Sequence, residues 1–138
     1  MQTVSLEGNF AHMGSRYLTF DEAWSALKRG KTVECLLGSC ERYGARGIRH
    51  ASITLVEVQL RVFDTADKEH AAFLDLYEFG PLDPSLSPGD ADEVSAFPTL
   101  EACVAVMQAR WPERGTRLVN EGVLQDEYGD YIAGGRRH

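Results

Sequence analysis

The stretch "ASITLVEVQLRVFD", residues 51–64, carries the strongest strand pattern in the chain. Apolar and polar residues alternate along its second half, which is typical of a strand with one buried face. The apolar positions of this alternation are Val56, Val58, Leu60 and Val62, and the polar positions are Glu57, Gln59 and Arg61. Ile53 and Leu55 are out of phase with the apolar set, and a bulge or bend near Leu55–Val56 would return both to the core. The stretch therefore predicts a central strand with an irregularity in its middle.

Further strands are expected on both sides of this stretch. Upstream, "KTVECLL" at 31–37 alternates in the same way and predicts a strand. The intervening residues 38–50, "GSCERYGARGIRH", are rich in glycine and arginine and predict a basic loop. Downstream, "TADKE" at 65–69 predicts a turn, after which "AAFLDLYEFG" at 71–80 predicts a partner strand.

Two amphipathic helices are predicted, one near each end of the chain. Thr19 and Glu22 form a capping-box pattern before a helix that Gly30 can close. The second helix follows Thr99, a favourable N-cap residue, and ends before Pro112. The apolar faces comprise Phe20, Ala23, Trp24 and Leu27 in the first helix and Leu100, Cys103, Val104, Met107 and Trp111 in the second. Both faces, with their tryptophans, are expected to belong to the core.

The remaining segments are an acidic loop and a closing hairpin. Residues 80–97 contain prolines, glycines and acids without a basic residue, which predicts a long irregular loop. After the second helix, 116–120 and 123–133 predict a hairpin turning at Glu121–Gly122, although 123–133 is also compatible with a helix.

The expected element order is α-β-β-β-α-β-β, which indicates a single α+β domain. We expect a mainly antiparallel sheet of about five strands with two helices on one face, because turns rather than crossovers join the strands. The domain should span 16–135 and be followed by a basic tail at 136–138. For the N-terminal segment 1–15 two interpretations stay open: vector-derived sequence, as "AHMGS" at 11–15 suggests, or a first strand at "TVSLEG".

Composition narrows the function classes. The 138-residue chain has a formal net charge of −7, so it repels nucleic acid phosphates and favours a basic protein partner. No apolar run approaches the roughly 20 residues of a membrane helix, and no signal peptide is evident, so a cytoplasmic location without membrane contact is expected. Three cysteines are too few for a disulfide framework, and their spacing does not favour a metal site. No cofactor is indicated.

One candidate site is the arginine-rich segment 38–50. Its glycines would let backbone amides approach an anion, and its arginines can grip phosphate or carboxylate. Positive charge near Cys40 would also lower the pKa of the thiol. The residues of this candidate ligand-binding or enzymatic pocket are Cys40, Arg42, Arg46, Arg49 and His50. The alternative is a mobile hairpin loop whose arginines are solvated or paired with the acids at 83–93.

A second candidate site combines the acidic loop with "RLVNEGVLQDEYGDYIAGG", residues 117–135. Tyrosines flanked by carboxylates are typical of surfaces that contact a basic protein, although the wet side of a hairpin explains the same pattern. The candidate partner-binding residues are Asp90, Asp92, Glu93, Glu121, Asp126, Glu127, Tyr128, Asp130 and Tyr131.

These observations favour a small acidic protein-binding module over an enzyme, since no convergent catalytic set is evident. Bacterial immunity proteins and antitoxins, which neutralise a basic toxin, are one class with this chemistry. The alternatives are a small enzyme or anionic-ligand-binding domain with its pocket at 38–50, and a homodimer joined through an edge strand.

Overall fold

The stretch 51–64 forms two strands joined by a two-residue turn. A computed structural model describes residues 16–68 and 76–134 of the chain. In it, β2 (Ala45–Leu55) and β3 (Val58–Ala66) are antiparallel neighbours, with Leu55 opposite Val58. The expected irregularity is therefore a hairpin turn at 56–57. Val56, which the alternation places in the core, lies in this turn with 96% of its surface exposed.

The sheet has five antiparallel strands in the order β4-β3-β2-β1-β5, which confirms the predicted α+β fold. Its other strands are β1 (Val33–Arg42), β4 (Glu93–Phe97) and β5 (Leu118–Asn120). The helices are α1 (Phe20–Lys28), α2 (Leu100–Arg110) and α3 (Leu124–Ala133), with a short 3-10 helix at Leu76–Glu78. None of the helices within the described ranges is long and apolar enough to cross a membrane.

Helices α1 and α2 cover one face of the sheet, as predicted, and enclose the larger core. The capping box forms at the start of α1: Glu22 N–H donates to Thr19 Oγ1 and Thr19 N–H donates to Glu22 Oε1. Thr99 caps α2 in the same manner through the N–H of Ala102. The core residues of this layer include Ala23, Leu27, Cys35, Ala51, Ile53, Leu60, Val62, Cys103, Val104 and Met107.

Helix α3 packs on the opposite face, where the sequence suggests a hairpin strand. Leu124, Tyr128 and Tyr131 follow helical spacing and reach a second, smaller core with Leu36, Ile48, Leu76 and Phe79. The strand expected over 123–133 is wrong for this reason, and its helical alternative is correct. In a helix these three residues share one face. In an alternating strand Tyr131 would point to the face opposite Leu124 and Tyr128.

The basic segment 38–50 is a hairpin rather than a loop. Strands β1 and β2 remain paired up to Arg42 and Ala45, and a bulge lies between Leu36 and Gly38. Tyr43 and Gly44 form the turn with φ angles of 55° and 71°, the left-handed geometry that tight hairpin turns favour.

The second neighbour of β3 in the sheet comes from the segment predicted to be an acidic loop. Residues 93–97 form β4, which pairs with 58–62. Most of the partner strand expected at 71–80 lies outside the described residues, and its described end contains the 3-10 helix. The predictions for 1–15 and 136–138 also fall outside the described residues.

Candidate functional site

Part of the arginine-rich set converges on a carboxylate that the sequence analysis did not single out. Asp64 is the cross-strand neighbour of Arg49 and is almost fully buried. Arg49 donates to both of its oxygens, at 2.6 and 2.9 Å, and Arg42 Nη1 lies 2.7 Å from Oδ2. Burial alone would raise the pKa of Asp64, but the ion pairs with Arg49 and Arg42 outweigh it and lower the pKa. Arg42 and Arg49 are therefore already paired with a carboxylate of the chain itself.

This ionic cluster extends into the acidic loop. Asp92 accepts the backbone N–H of Asp64 at 2.7 Å and lies 3.2 Å from Arg42 Nη1. Arg42 also donates to the Tyr43 hydroxyl, which in turn donates to Asp83. The alternative in which the arginines pair with acids at 83–93 holds for Arg42, which contacts Asp92, but not for Arg49, which binds Asp64 instead. The network fixes the end of the β1–β2 hairpin against the loop.

Cys40 sits beside this cluster as a protonated thiol. Burial, together with the charge of Asp64, raises its pKa to about 11, although Arg49 acts in the opposite direction. Burial and the negative charge of Asp64 therefore oppose the activated thiolate that the nearby arginines suggested.

His50 and Arg46 do not join Cys40, Arg42 and Arg49. His50 is fully buried and stacks on Phe63 with ring centroids 5.0 Å apart, on the α3 side of the sheet. Burial lowers its pKa to about 3, so the ring is neutral at physiological pH. Arg46 is exposed near the hairpin turn. Across the described ranges, no group of three or more histidines, cysteines or acids is placed to hold a metal ion.

Three residues of the predicted partner surface are buried instead. Glu127 is 2% exposed and accepts hydrogen bonds from Arg16 at 2.9 Å, the Tyr17 hydroxyl at 2.5 Å and Arg114 at 3.2 Å. Tyr131 accepts the backbone N–H of Ser39, and the hydroxyl of Tyr128 donates to Asp67. These three side chains serve the second core, so they cannot form a contact surface.

The remaining acids of the predicted surface are divided between the two edges of the sheet. Asp90, Asp92 and Glu93 lead into β4, whereas Glu121 directly follows β5. Four strand spacings separate these edges, or about 19 Å. Asp126 and Asp130 lie on α3, exposed, with Asp130 paired to Arg16 at 2.7 Å. Glu93 is bound by Arg110 at 2.5 and 3.0 Å. The two acidic stretches therefore form separate patches.

An apolar groove of about 540 Å³ opens on the surface of the protein. It lies where both helices of the larger layer begin, next to the β2–β3 turn and the end of β4. The residues that define it are Phe20, Trp24, Leu55, Val58, Phe97, Pro98 and Leu100, with Glu57 and Glu101 at its margin. Trp24, Leu55 and Phe97 are half-buried, and the exposed Val56 adjoins them.

The groove combines apolar walls with negative charge. Glu57 and Glu101 are both exposed, and no basic side chain is present among the described residues that line it. Helical spacing predicts Trp24 in the core, and its side chain does pack against the core while its exposed part lines the groove. No sequence signal marks the groove, because nothing in residues 55–57 indicates the turn that exposes Val56.

The chain matches no protein-family model, and no curated protein or solved structure is significantly similar to it.

Proposed function

We propose that this chain is a small acidic protein-binding module that recognises a basic protein through the groove between α1, α2 and the β2–β3 turn. The observation that carries the proposal is the half-buried apolar wall formed by Trp24, Leu55 and Phe97, flanked by Glu57 and Glu101. Half-buried aromatic side chains in a concave surface are typical of the centres of protein interfaces.

Charge supports a basic partner. The net charge of −7 attracts basic proteins at long range, and the two groove carboxylates favour lysine or arginine beside the bound apolar side chain. A stable interface covers roughly 800 Å² on each partner, so the contact must extend beyond the groove. Val56, which is 96% exposed and lies in the chain between the lining residues Leu55 and Glu57, supplies further apolar surface.

Immunity proteins and antitoxins that cover a basic toxin are the class that this chemistry fits best. Such proteins act by occlusion and need no catalytic residues. The buried ionic clusters around Asp64 and Glu127 have their charges compensated within the fold, so they are suited to holding a rigid scaffold.

The competing proposal, a small enzyme or anion-binding domain at 38–50, has less support. Arg42 and Arg49 already bind Asp64, Cys40 has a raised pKa, and His50 lies on the other face of the sheet. An incoming anion would have to displace a buried carboxylate from its two arginines, which is costly.

Affinity capture from a lysate of the source organism tests the proposal when it is done with matched variants. The groove variant is Glu57→Gln with Glu101→Gln. The control variant, Glu78→Gln with Asp126→Asn, removes the same charge from exposed acids on the opposite side of the sheet. We expect a basic protein that wild type and control retain at low salt and that the groove variant loses. Equal capture by all three proteins, or loss by the control alone, would refute the proposal.

A further inference from the structure

Within residues 16–68 and 76–134, strand β4 is the open edge of the sheet. Both edge strands pair with one neighbour inside the sheet, but their outer sides differ. The outer side of β5 is met by the chain entering α1: Tyr17 bridges Val119, and Leu18 N–H donates to the Leu118 carbonyl at 2.8 Å. Among the described residues, no segment pairs with the outer side of β4.

Strand β4 also lacks the usual devices that protect an exposed edge. Such strands commonly carry lysine or an internal proline, which discourage pairing with another chain. The sequence "EVSAF" has neither, and Val94 in its middle is 56% exposed. Glu93, its one charged side chain, is held by Arg110 on α2. The backbone of this strand therefore remains suited to accept a further strand.

The open edge continues directly into the groove. Ala96 and Phe97 belong both to the end of β4 and to the groove lining, and Pro98, which follows the strand, also lines the groove. A segment that paired with β4 would pass the groove mouth at its end. Five residues of strand span about 17 Å, so the segment needs only four to six extended residues.

The geometry points to β-strand addition: an extended segment of a basic protein pairs with β4 as a sixth strand and inserts one large apolar side chain into the groove. A neighbouring lysine or arginine of that segment lies near Glu57 or Glu101. Main-chain hydrogen bonds would supply affinity, and the groove would supply specificity. This inference rests on the proposed function and specifies the form of the partner.

Charge disfavours a second copy of this chain as the occupant. A self-pairing through β4 would bring two chains of net charge −7 together and place the acids of both grooves at one interface. Like charges brought together at an interface cost several kcal/mol. A basic segment is favoured instead, because its lysine or arginine would lie next to Glu57 or Glu101.

Selection from a random twelve-residue peptide library, displayed on phage, tests the inference with the full chain as bait. We expect the enriched peptides to place an aromatic or large aliphatic residue next to lysine or arginine. A synthetic peptide from the selection should slow amide hydrogen exchange at two or more positions of β4 by at least about tenfold. Amides of β5, whose outer side is already covered, serve as the internal control.

The outcomes separate this inference from the proposed function. If the peptide binds, weakens on Glu57→Gln with Glu101→Gln, and leaves exchange in β4 unchanged, strand addition is wrong and the groove proposal stands. If no peptide is enriched, strand addition by a short segment is wrong and the lysate capture alone decides the proposed function; if peptides bind equally well to the groove variant, both are wrong. If β4 is already protected without peptide, in proportion to protein concentration, the occupant is a second copy and the inference fails.

Discussion

Arg49 and Asp64 stand directly opposite each other on β2 and β3, and the guanidinium donates to both carboxylate oxygens at 2.6 and 2.9 Å. Arg42, from the neighbouring strand, meets the same carboxylate at 2.7 Å. The basic segment 38–50, which the sequence predicts as an anion-binding site, therefore already binds the carboxylate of Asp64. This ionic cluster lies at the end of the sheet opposite to the groove of the proposed interface.

Replacing Asp64 with asparagine should destabilise the fold. The change leaves two arginines facing a neutral amide, and removing one partner of a buried ion pair typically costs about 3 to 5 kcal/mol. Because the side chains of Arg42 and Arg49 are 36% and 29% exposed, solvent lowers that cost to about 1 to 3 kcal/mol. Urea unfolding at pH 7 measures the loss, with the exposed Asp126→Asn as the control within about 0.5 kcal/mol of wild type.

The same pair predicts a dependence on pH. The folded pKa of Asp64 is lowered, so its stabilising contribution is present above the unfolded pKa near 4 and is lost as the pH falls through the folded value. The difference in unfolding free energy between wild type and Asp64→Asn should shrink below about pH 4. A difference that stays constant down to pH 2 would contradict the assignment.

His50 should give a second, separate pH effect. Its pKa is lowered to about 3 by burial, against 6.5 for an exposed imidazole, so the unfolded state binds a proton that the folded state does not. Stability should therefore fall as the pH drops from about 6.5 towards 3, by up to about 1.4 kcal/mol per pH unit. Urea unfolding of His50→Gln over this range should show a shallower slope. Equal slopes would mean that His50 is protonated within the fold.

Cys40 should react slowly with thiol reagents. Raising its pKa from 9.0 to about 11 lowers the thiolate fraction at pH 7.5 by about a hundredfold. Alkylation by iodoacetamide, followed residue by residue with mass spectrometry, should be at least tenfold slower than for free cysteine. Asp64→Asn should accelerate the reaction, because it removes a negative charge that opposes the thiolate. Rapid alkylation of the wild-type residue would restore the activated-cysteine hypothesis.

The hairpin within 51–64 predicts opposite outcomes for two valines of one alternating pattern. Val56→Ala should change the free energy of unfolding by less than about 0.5 kcal/mol, since Val56 is 96% exposed. Val58→Ala should cost about 1 to 3 kcal/mol, because Val58 is buried in the larger core. Similar costs for both would favour one continuous strand with Val56 inside.

The places where sequence reasoning failed have local physical causes. The turn at 56–57 contains no glycine, asparagine or proline, so nothing interrupts the alternation of a continuous strand. Helix α3 begins after Val123, which provides no side-chain cap, and contains Gly129, so it lacks the signals that identified α1 and α2. Those two helices carry Thr19 and Thr99 as caps, and both were correctly placed.

The candidate sites were harder to predict because they depend on sheet register. The ionic cluster brings together side chains from three strands and a loop: Arg42, Arg49, Asp64 and Asp92. No pattern of sequence spacing predicts that these four residues are in contact. The groove likewise requires both helix starts and the β2–β3 turn at one end of the sheet. Residue type alone suggested that Tyr128 and Tyr131 contact a partner. Both are buried because α3 packs on the second core, which residue type does not reveal.

The chain contains an internal control for locating its partner. Trp24 lines the groove, whereas Trp111 lies past the end of α2 under the guanidinium of Arg110. Their indole N–H signals can be followed separately in the ¹⁵N-labelled protein while the captured basic protein, or a selected peptide, is added. If the groove binds the partner, we expect a large shift of the Trp24 signal and an unchanged Trp111 signal. Binding that shifts Trp111, or neither indole, would place the partner elsewhere and contradict the groove as the functional surface.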